Sequence, residues 1–190
     1  MEDEDDYKAL AETWRRPAGI FVLVDARGAA GSRIHEIQSR FDPKLAATNA
    51  PHLTLVGSSG VGPISAGTTV EEMRARVEPI AKAFAPISLP FGSPVKFMQR
   101  EIVVLPLAPN GPLRDLHERI ARSGLPFERA KFTFTPHVTL NFFRTLPRDE
   151  LKALLAERVE EPLVVDHLRF SLTDDPMPTR DLFELRLTGT

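Results

Sequence analysis

The sequence predicts an α+β fold, bilobal and pseudo-symmetric, with two antiparallel sheets flanking a central cleft and helices on the outer faces. Three observations predict it. The pentapeptide pattern Pro-His-aliphatic-Thr-Leu occurs twice, at Pro51–Leu55 and Pro136–Leu140, with 85 residues separating the two histidines. Ordinary residue frequencies put the odds of a second chance copy at roughly a few in a thousand. The elements around each copy follow one order: strand, helix, motif strand, helix, strands. The composition, 42% hydrophobic and 26% charged over 190 residues, is that of an ordinary globular chain with enough apolar side chains for a sizeable core.

Taken in order, residues 1–13 open on the acidic run Glu2–Asp6 and read as a disordered tail. Residues 14–190 then form a single domain, with Trp14 covering a core edge. Gly19–Asp25 is a continuous apolar run of strand length, suited to a buried central strand. Gly28 and Gly31 break it, and Ser32 is placed to cap a helix running to Phe41, ended by Asp42-Pro43. The first motif strand covers residues 51–56. A Gly/Ser/Pro/Thr loop over residues 57–69 follows, read as a connection or a mobile lid; it lacks the Gly-Lys-Ser/Thr ending of a nucleotide-binding loop.

Thr69 caps the next helix, to about Phe84, with Val70, Met73, Val77, Ile80 and Ala81 on the apolar side; Pro79 inside it predicts a kink or a shortening. Extended segments follow at residues 87–91, 95–98 and 101–107. Pro112 starts a helix to Ser123 that buries Leu113, Leu116 and Ile120, and Gly124 stops it. The second motif strand spans residues 136–143, followed by a helix over 147–159. Strands at 163–172 and 182–188, joined by a turn at Asp174-Asp175-Pro176, close the chain.

Several function classes are excluded or disfavoured by composition. With no cysteine, disulfides, thiolate catalysis and cysteine-based metal sites are out, which fits a reducing cytoplasm. No apolar run approaches the roughly 18 residues of a membrane span, and the acidic N-terminus is unlike a secretory signal. A net charge of −2 is wrong for gripping long duplex nucleic acid, so a nucleic-acid substrate would be held at one end or one phosphate.

In a strand, side chains at i and i+2 share a face. His52 with Thr54, and His137 with Thr139, therefore each present an imidazole and a hydroxyl on one side, while Leu53 and Val138 turn to the core. Two such pairs brought together supply an acid, a base and two anion-binding donors. Histidine suits both proton roles because its ordinary pKa lies near 6.5. That set matches a phosphodiester needing one group to activate water and another to protonate the departing oxygen. No metal is required, and no three- or four-ligand zinc spacing is visible. Lys96, Arg100, Arg129 and Lys131 are candidates for a cationic rim; in strand register Lys131 and Arg129 would share the His137 face, whereas Arg144 would point away. Phe91, Phe97 and Phe132 are candidates for base stacking or core packing, and Phe132 is placed on the rim. His35 and His117, on helices beside charges, read as solvated; His35, His117 and His167 have no partner spacing.

The two proline-preceded His-x-Thr motifs, in this element order, resemble those of the 2H phosphoesterase superfamily. Within it the chain looks most like the LigT-like RNA 2′,3′-cyclic phosphodiesterases, also called 2′-5′ RNA ligases. The resemblance spans residues 17–187 in element order, and only the two pentapeptides match in detail. It implies a cytoplasmic, monomeric, metal- and cofactor-independent enzyme acting on a 2′,3′-cyclic phosphate at an RNA end or on a small nucleotide. His52 and His137 would be catalytic, with His52 as the acid, and Thr54 and Thr139 would bind the phosphate. The product would be a 2′-phosphomonoester, and the reverse direction an ATP-independent 2′-5′ ligation. Where that branch often carries arginines, five residues either side of the second histidine, this chain has Phe132 and Phe142; Phe134 does match. Alternatives in other classes are an RNA-end-binding module without turnover, and an enzyme for 2′-5′ oligonucleotides or an ADP-ribose cyclic phosphate.

Overall fold

A computed structural model describes residues 19–97, 101–173 and 179–190. The acidic tail, Trp14, Arg100 and the turn at Asp174–Pro176 lie outside the described residues.

The first half of the chain runs β1 (Gly19–Asp25), α1 (Gly28–Phe41), α2 (Pro43–Thr48), β2 (His52–Val56), α3 (Val70–Ala83) and β3 (Ile87–Leu89). The second runs β4 (Val95–Lys96), β5 (Val103–Pro106), α4 (Pro112–Ala121), β6 (His137–Asn141), α5 (Arg148–Ala156) and β7 (Leu163–Val165), followed by β8 (His167–Thr173) and β9 (Thr179–Arg186). The larger sheet has seven strands in the order β4-β5-β6-β2-β1-β8-β9, and β3 pairs with β7 in a separate two-stranded sheet. Every strand pairing among the described residues is antiparallel.

The α+β duplication is present, and the sheet order shows its pseudo-symmetry. β1-β2 and β5-β6 are equivalent pairs meeting at the middle of the large sheet, and the small sheet takes one strand from each half. The motif strands β2 and β6 are hydrogen-bonded neighbours, so the two histidines meet across one strand pair within a continuous sheet. Each motif strand also carries a bulge at the same place. Register shifts by one residue at Leu55 in β2 and at Leu140 in β6. An extra residue breaks the two-residue alternation, which is why both strands bury their last two residues after alternating up to the threonine.

One core serves both halves. Its helices cross over: α1 of the first half packs beneath β6, and α4 of the second beneath β2. The α4 face is a plain 3.6-residue stripe, with Leu113, Leu116 and Ile120 fully buried. Thr69 caps α3, its hydroxyl accepting from the Glu72 N–H at 3.1 Å, and the helix continues through Pro79 to Ala83.

Among the boundaries that differ from expectation, two bear on the site. α1 begins at Gly28 behind Arg27 and has no side-chain cap, so Ser32 lies inside it. Gly31 permits this by close packing, because a Cβ there would sit 1.9 Å from the Ala26 carbonyl oxygen. The single strand expected over 163–172 is two strands in different sheets, parted at Asp166. The loop over 57–69, expected as a connection or a mobile lid, is a tethered connection. Gly60 and Gly62 donate their N–H groups to Phe132 and Glu128, Ser65 to Pro126, and Ile64 bridges to Ile20 and Phe127. No helix among the described residues is long and apolar enough to cross a membrane.

Candidate active site

Leu53 lies directly opposite Val138 in the antiparallel β2–β6 pair. That register sets His52 across from Thr139 and Thr54 across from His137, with paired Cβ atoms about 4.5–5.5 Å apart. All four are half-buried on one face of the sheet, while Leu53 and Val138 are sealed on the other. The structure therefore brings His52, Thr54, His137 and Thr139 into one compact patch, each imidazole facing the other strand's hydroxyl.

The backbone holds both rings alike. His52 Nδ1 lies 2.8 Å from the Ala50 carbonyl oxygen, and His137 Nδ1 lies 2.7 Å from that of Thr135. A carbonyl only accepts, so both rings carry the proton on Nδ1 when neutral, and proton exchange with a ligand falls to Nε2. The intervening prolines share the design. The clash of each ring Cδ with the residue before it holds that residue in extended backbone, and the carbonyls of Pro51 and Pro136 accept from Ala26 and Leu107, one residue past the strands beside each motif.

The helices behind the sheet lock these strands from the opposite half. From α1, Gln38 donates to the Thr139 carbonyl at 2.8 Å. Asp42, fully buried, accepts from the Leu45 N–H at 3.1 Å and from the Phe142 and Phe143 N–H groups at 2.8 and 2.7 Å. From α4, His117 donates through Nδ1 to the Leu55 carbonyl at 2.8 Å and stacks on Phe134, ring centroids 4.0 Å apart.

His117 is thus a buried strand clamp, not the solvated residue its charged neighbours implied. The missed signal is its place, one position after Leu116 and four after Leu113, on the apolar stripe. Burial pushes its pKa down, more than the Leu55 bond raises it. With the folded value below the ordinary 6.5, its stabilising contribution is complete above pH 6.5 and declines as pH falls toward the folded value. His167, whose pKa is raised, loses its contribution as pH rises through the same window, so His117 is isolated by the difference in urea midpoint between wild type and His117→Phe from pH 7.5 to 5.5. The expected result is that the wild type loses stability relative to His117→Phe as pH falls, with the variant about 1 kcal/mol weaker at neutral pH for the lost hydrogen bond.

The flanks differ on the two sides. Across β1, the residue opposite His52 is Asp25. Its carboxylate accepts from Arg169 at 2.6 to 3.1 Å, and Arg27 lies 3.6 Å away. Burial would raise its pKa, but hydrogen bonds from His167 and Arg169 and their charges outweigh that and hold it well below the carboxylate range. His167 is buried, with Nδ1 2.6 Å from Asp166 and Nε2 accepting from the Asp25 N–H at 3.2 Å. Those contacts describe a neutral ring. The raised pKa, with bonds to Asp25 and Asp166 outweighing burial, corresponds to a second arrangement in which Nε2 donates to Asp25 Oδ2, 3.5 Å away. Across β5, the residue opposite His137 is Pro106, and Phe97 leans on the His137 ring at 4.9 Å. Neither flank was legible in the sequence, since Asp25 and Arg169 are 144 residues apart.

Asp25, His167 and Glu184 also offer atoms within 4.8 Å of one another, close enough to share a cation. Both carboxylates already hold a protein cation, since Arg27 bonds Glu184 at 2.6 Å and Arg169 clamps Asp25.

The rim is arranged otherwise than strand register implied. Residues 128–136 are not a strand, so Arg129 and Lys131 are exposed on an irregular segment and no alternation aims them at the His137 face. Lys96 pairs with Glu101 at 2.6 Å. Arg144 is committed to the Phe41 carbonyl and Glu150. Phe132 is 44% exposed and so open to a ligand, whereas Phe91 packs against the core. His35 is exposed and lines a depression of about 500 Å³ beside Ala50 and Pro51, which none of the four central groups enters.

The sequence model of the 2′-5′ RNA ligase superfamily matches residues 26–176, most of the chain and both motifs. The chain belongs to the 2′-5′ RNA ligase superfamily. Three solved structures of E. coli LigT agree in fold with this superfamily member. The complex with 3′-AMP is 18% identical, covers 90% of this chain and 99% of LigT, and superposes with a TM-score of 0.53. The phosphate complex gives 16% identity, 91% and 99% coverage and a TM-score of 0.51. The NADP+ complex gives 18%, 90% and 99%, and 0.50. No curated protein sequence matches the chain.

Proposed function

We propose that the chain is a phosphoesterase that opens 2′,3′-cyclic phosphates at RNA ends, or on small nucleotides, to 2′-phosphomonoesters. One observation carries the reading. Two imidazoles with Nδ1 committed to backbone carbonyls, and two hydroxyls, occupy alternate corners of one patch across the β2–β6 pair. Superfamily membership supports it, as do the nucleotide and phosphate complexes of LigT, a protein of the same fold.

In the proposed step, water attacks phosphorus while one histidine Nε2 takes its proton. The P–O bond to the ribose 3′-oxygen breaks, and the other histidine gives that oxygen a proton. Thr54 and Thr139 donate to the non-bridging oxygens, whose charge grows in the transition state. Solvent exchange restores the two protonation states. The same step with an RNA 5′-hydroxyl in place of water would form a phosphodiester from the 2′-phosphate, with the 3′-oxygen leaving as before, which is the 2′-5′ ligation sense. Every role is filled by a side chain, so the step needs no metal. In the same reading residues 14–190 act as one domain, a monomer in the cytoplasm.

The test is a short RNA ending in 2′,3′-cyclic phosphate, incubated with the protein in excess EDTA and resolved by product. Appearance of a 2′-phosphate end, with a bell-shaped pH dependence, is expected. Activity abolished by EDTA and restored by a metal would overturn the metal-free step. Tight binding of the cyclic end without product would instead identify an end-binding module. Turnover confined to 2′-5′ oligonucleotides or an ADP-ribose cyclic phosphate would move the substrate class.

A further inference from the structure

We propose that Asp25, held in place by Arg169, is the positioning residue that makes His52 the proton donor and leaves His137 the acceptor; the proposal rests on the phosphoesterase reading. The two motifs are matched in ring anchoring, proline geometry and bulge, so nothing within them separates acid from base. The difference lies one strand outward. Asp25 is the cross-strand neighbour of His52 and Pro106 that of His137. Directly opposite side chains share a face with Cβ atoms about 5 Å apart, which puts a carboxylate beside one imidazole and a hydrocarbon ring beside the other.

Asp25 is kept ionised and immobile. Arg169 grips both its oxygens and is itself tied to Asp181, which also accepts from Ser171. The cluster beyond His52 holds four carboxylates, Asp25, Asp166, Asp181 and Glu184, against two guanidiniums, Arg27 and Arg169. A protonated His167 would still leave it net negative. Its outer members, Asp166 and Asp181, are half exposed or more and screened by solvent, whereas the Asp25 side chain is 16% exposed. On β6, register sets Thr139 and, diagonally, His137 beside His52. Asp25 is the carboxylate that register places directly across from His52 on β1, and its charge favours a proton there.

The test is a pair of opposite charge changes. In kcat/KM against pH, the alkaline limb reports loss of the donor's proton. Asp25→Asn is expected to move that limb to lower pH by on the order of 1 unit. Arg169→Gln, which uncovers Asp25, is expected to move it to higher pH, and the acidic limb stays in place in both. A general loosening of the fold cannot give displacements of opposite sign. Limbs unmoved in both variants, or movement of the acidic limb in Asp25→Asn, would overturn the role. The shift is also read without substrate, from the His52 ring-proton resonance through a pH titration of wild type and both variants. If the wild type turns over no cyclic phosphate, the phosphoesterase reading falls on its own, while an unmoved resonance still overturns the role of Asp25.

Discussion

Replacing His52 or His137 by alanine is expected to lower kcat/KM on a terminal 2′,3′-cyclic phosphate by about 10²–10⁴-fold, the usual contribution of a positioned acid or base. The double variant should fall little further, because acid and base act in one transition state and their losses do not add. KM should change much less than kcat, since neither ring is needed to hold the rest of the nucleotide. The fold should persist. Both rings are half-buried at one face of the sheet, and the intramolecular bond identified for each is the near-surface contact from Nδ1 to the carbonyl two residues back. Losing it costs about 1 kcal/mol, so a thermal melt should move by a few degrees at most. Exogenous imidazole restoring part of the rate to an alanine variant would show that the missing group acts through proton transfer. Retention of the wild-type rate by either variant would sink the two-histidine mechanism.

The motif pair was readable because it obeys a local rule. Alternation along a strand puts His52 and Thr54, or His137 and Thr139, on one face whatever surrounds them. The duplication was readable for a similar reason: each half repeats one element order, and antiparallel partners then follow. What lay beyond reach was register between distant strands. Asp25 ends an apolar run and carries no mark that it will stand opposite His52, and Arg169 comes from a strand that sequence alone merged with its predecessor. The cationic rim failed on the same ground. Its register argument needed Arg129 to His137 to be continuously extended, but residues 128–136 are held as an irregular segment by the 57–65 loop, through Phe132, Glu128 and Pro126. His117 is the exception, since 3.6-residue periodicity already placed it on the buried stripe of α4 and only its charged neighbours argued otherwise.

The largest effect on stability is expected at Asp42, a residue with no part in the chemistry. Sequence marked it only as a helix stop. In the fold its carboxylate is fully buried, caps α2 through Leu45 N–H, and accepts from two successive N–H groups, Phe142 and Phe143, just past the end of β6. Those two donors belong to the turn that follows the second motif strand, and beside them Arg144 reaches back to the Phe41 carbonyl. Asp42→Ala would leave three backbone donors without their acceptor. At about 1–3 kcal/mol for each buried donor left unsatisfied, with partial relaxation, the cost should be about 3–5 kcal/mol. Asp42→Asn keeps one good acceptor but turns an amide N–H toward donors, so it should recover only part of that loss. The measurement is the urea midpoint of each variant at fixed pH, compared with Ser39→Ala on the exposed side of α1 as a reference for ordinary surface change. Because the turn tethers the end of β6, Asp42→Asn should also lower kcat more than it raises KM: Thr139 and His137 would lose their fixed register against His52 while the first motif stays intact. A variant that melts like wild type would show that the turn after β6 holds without this clamp.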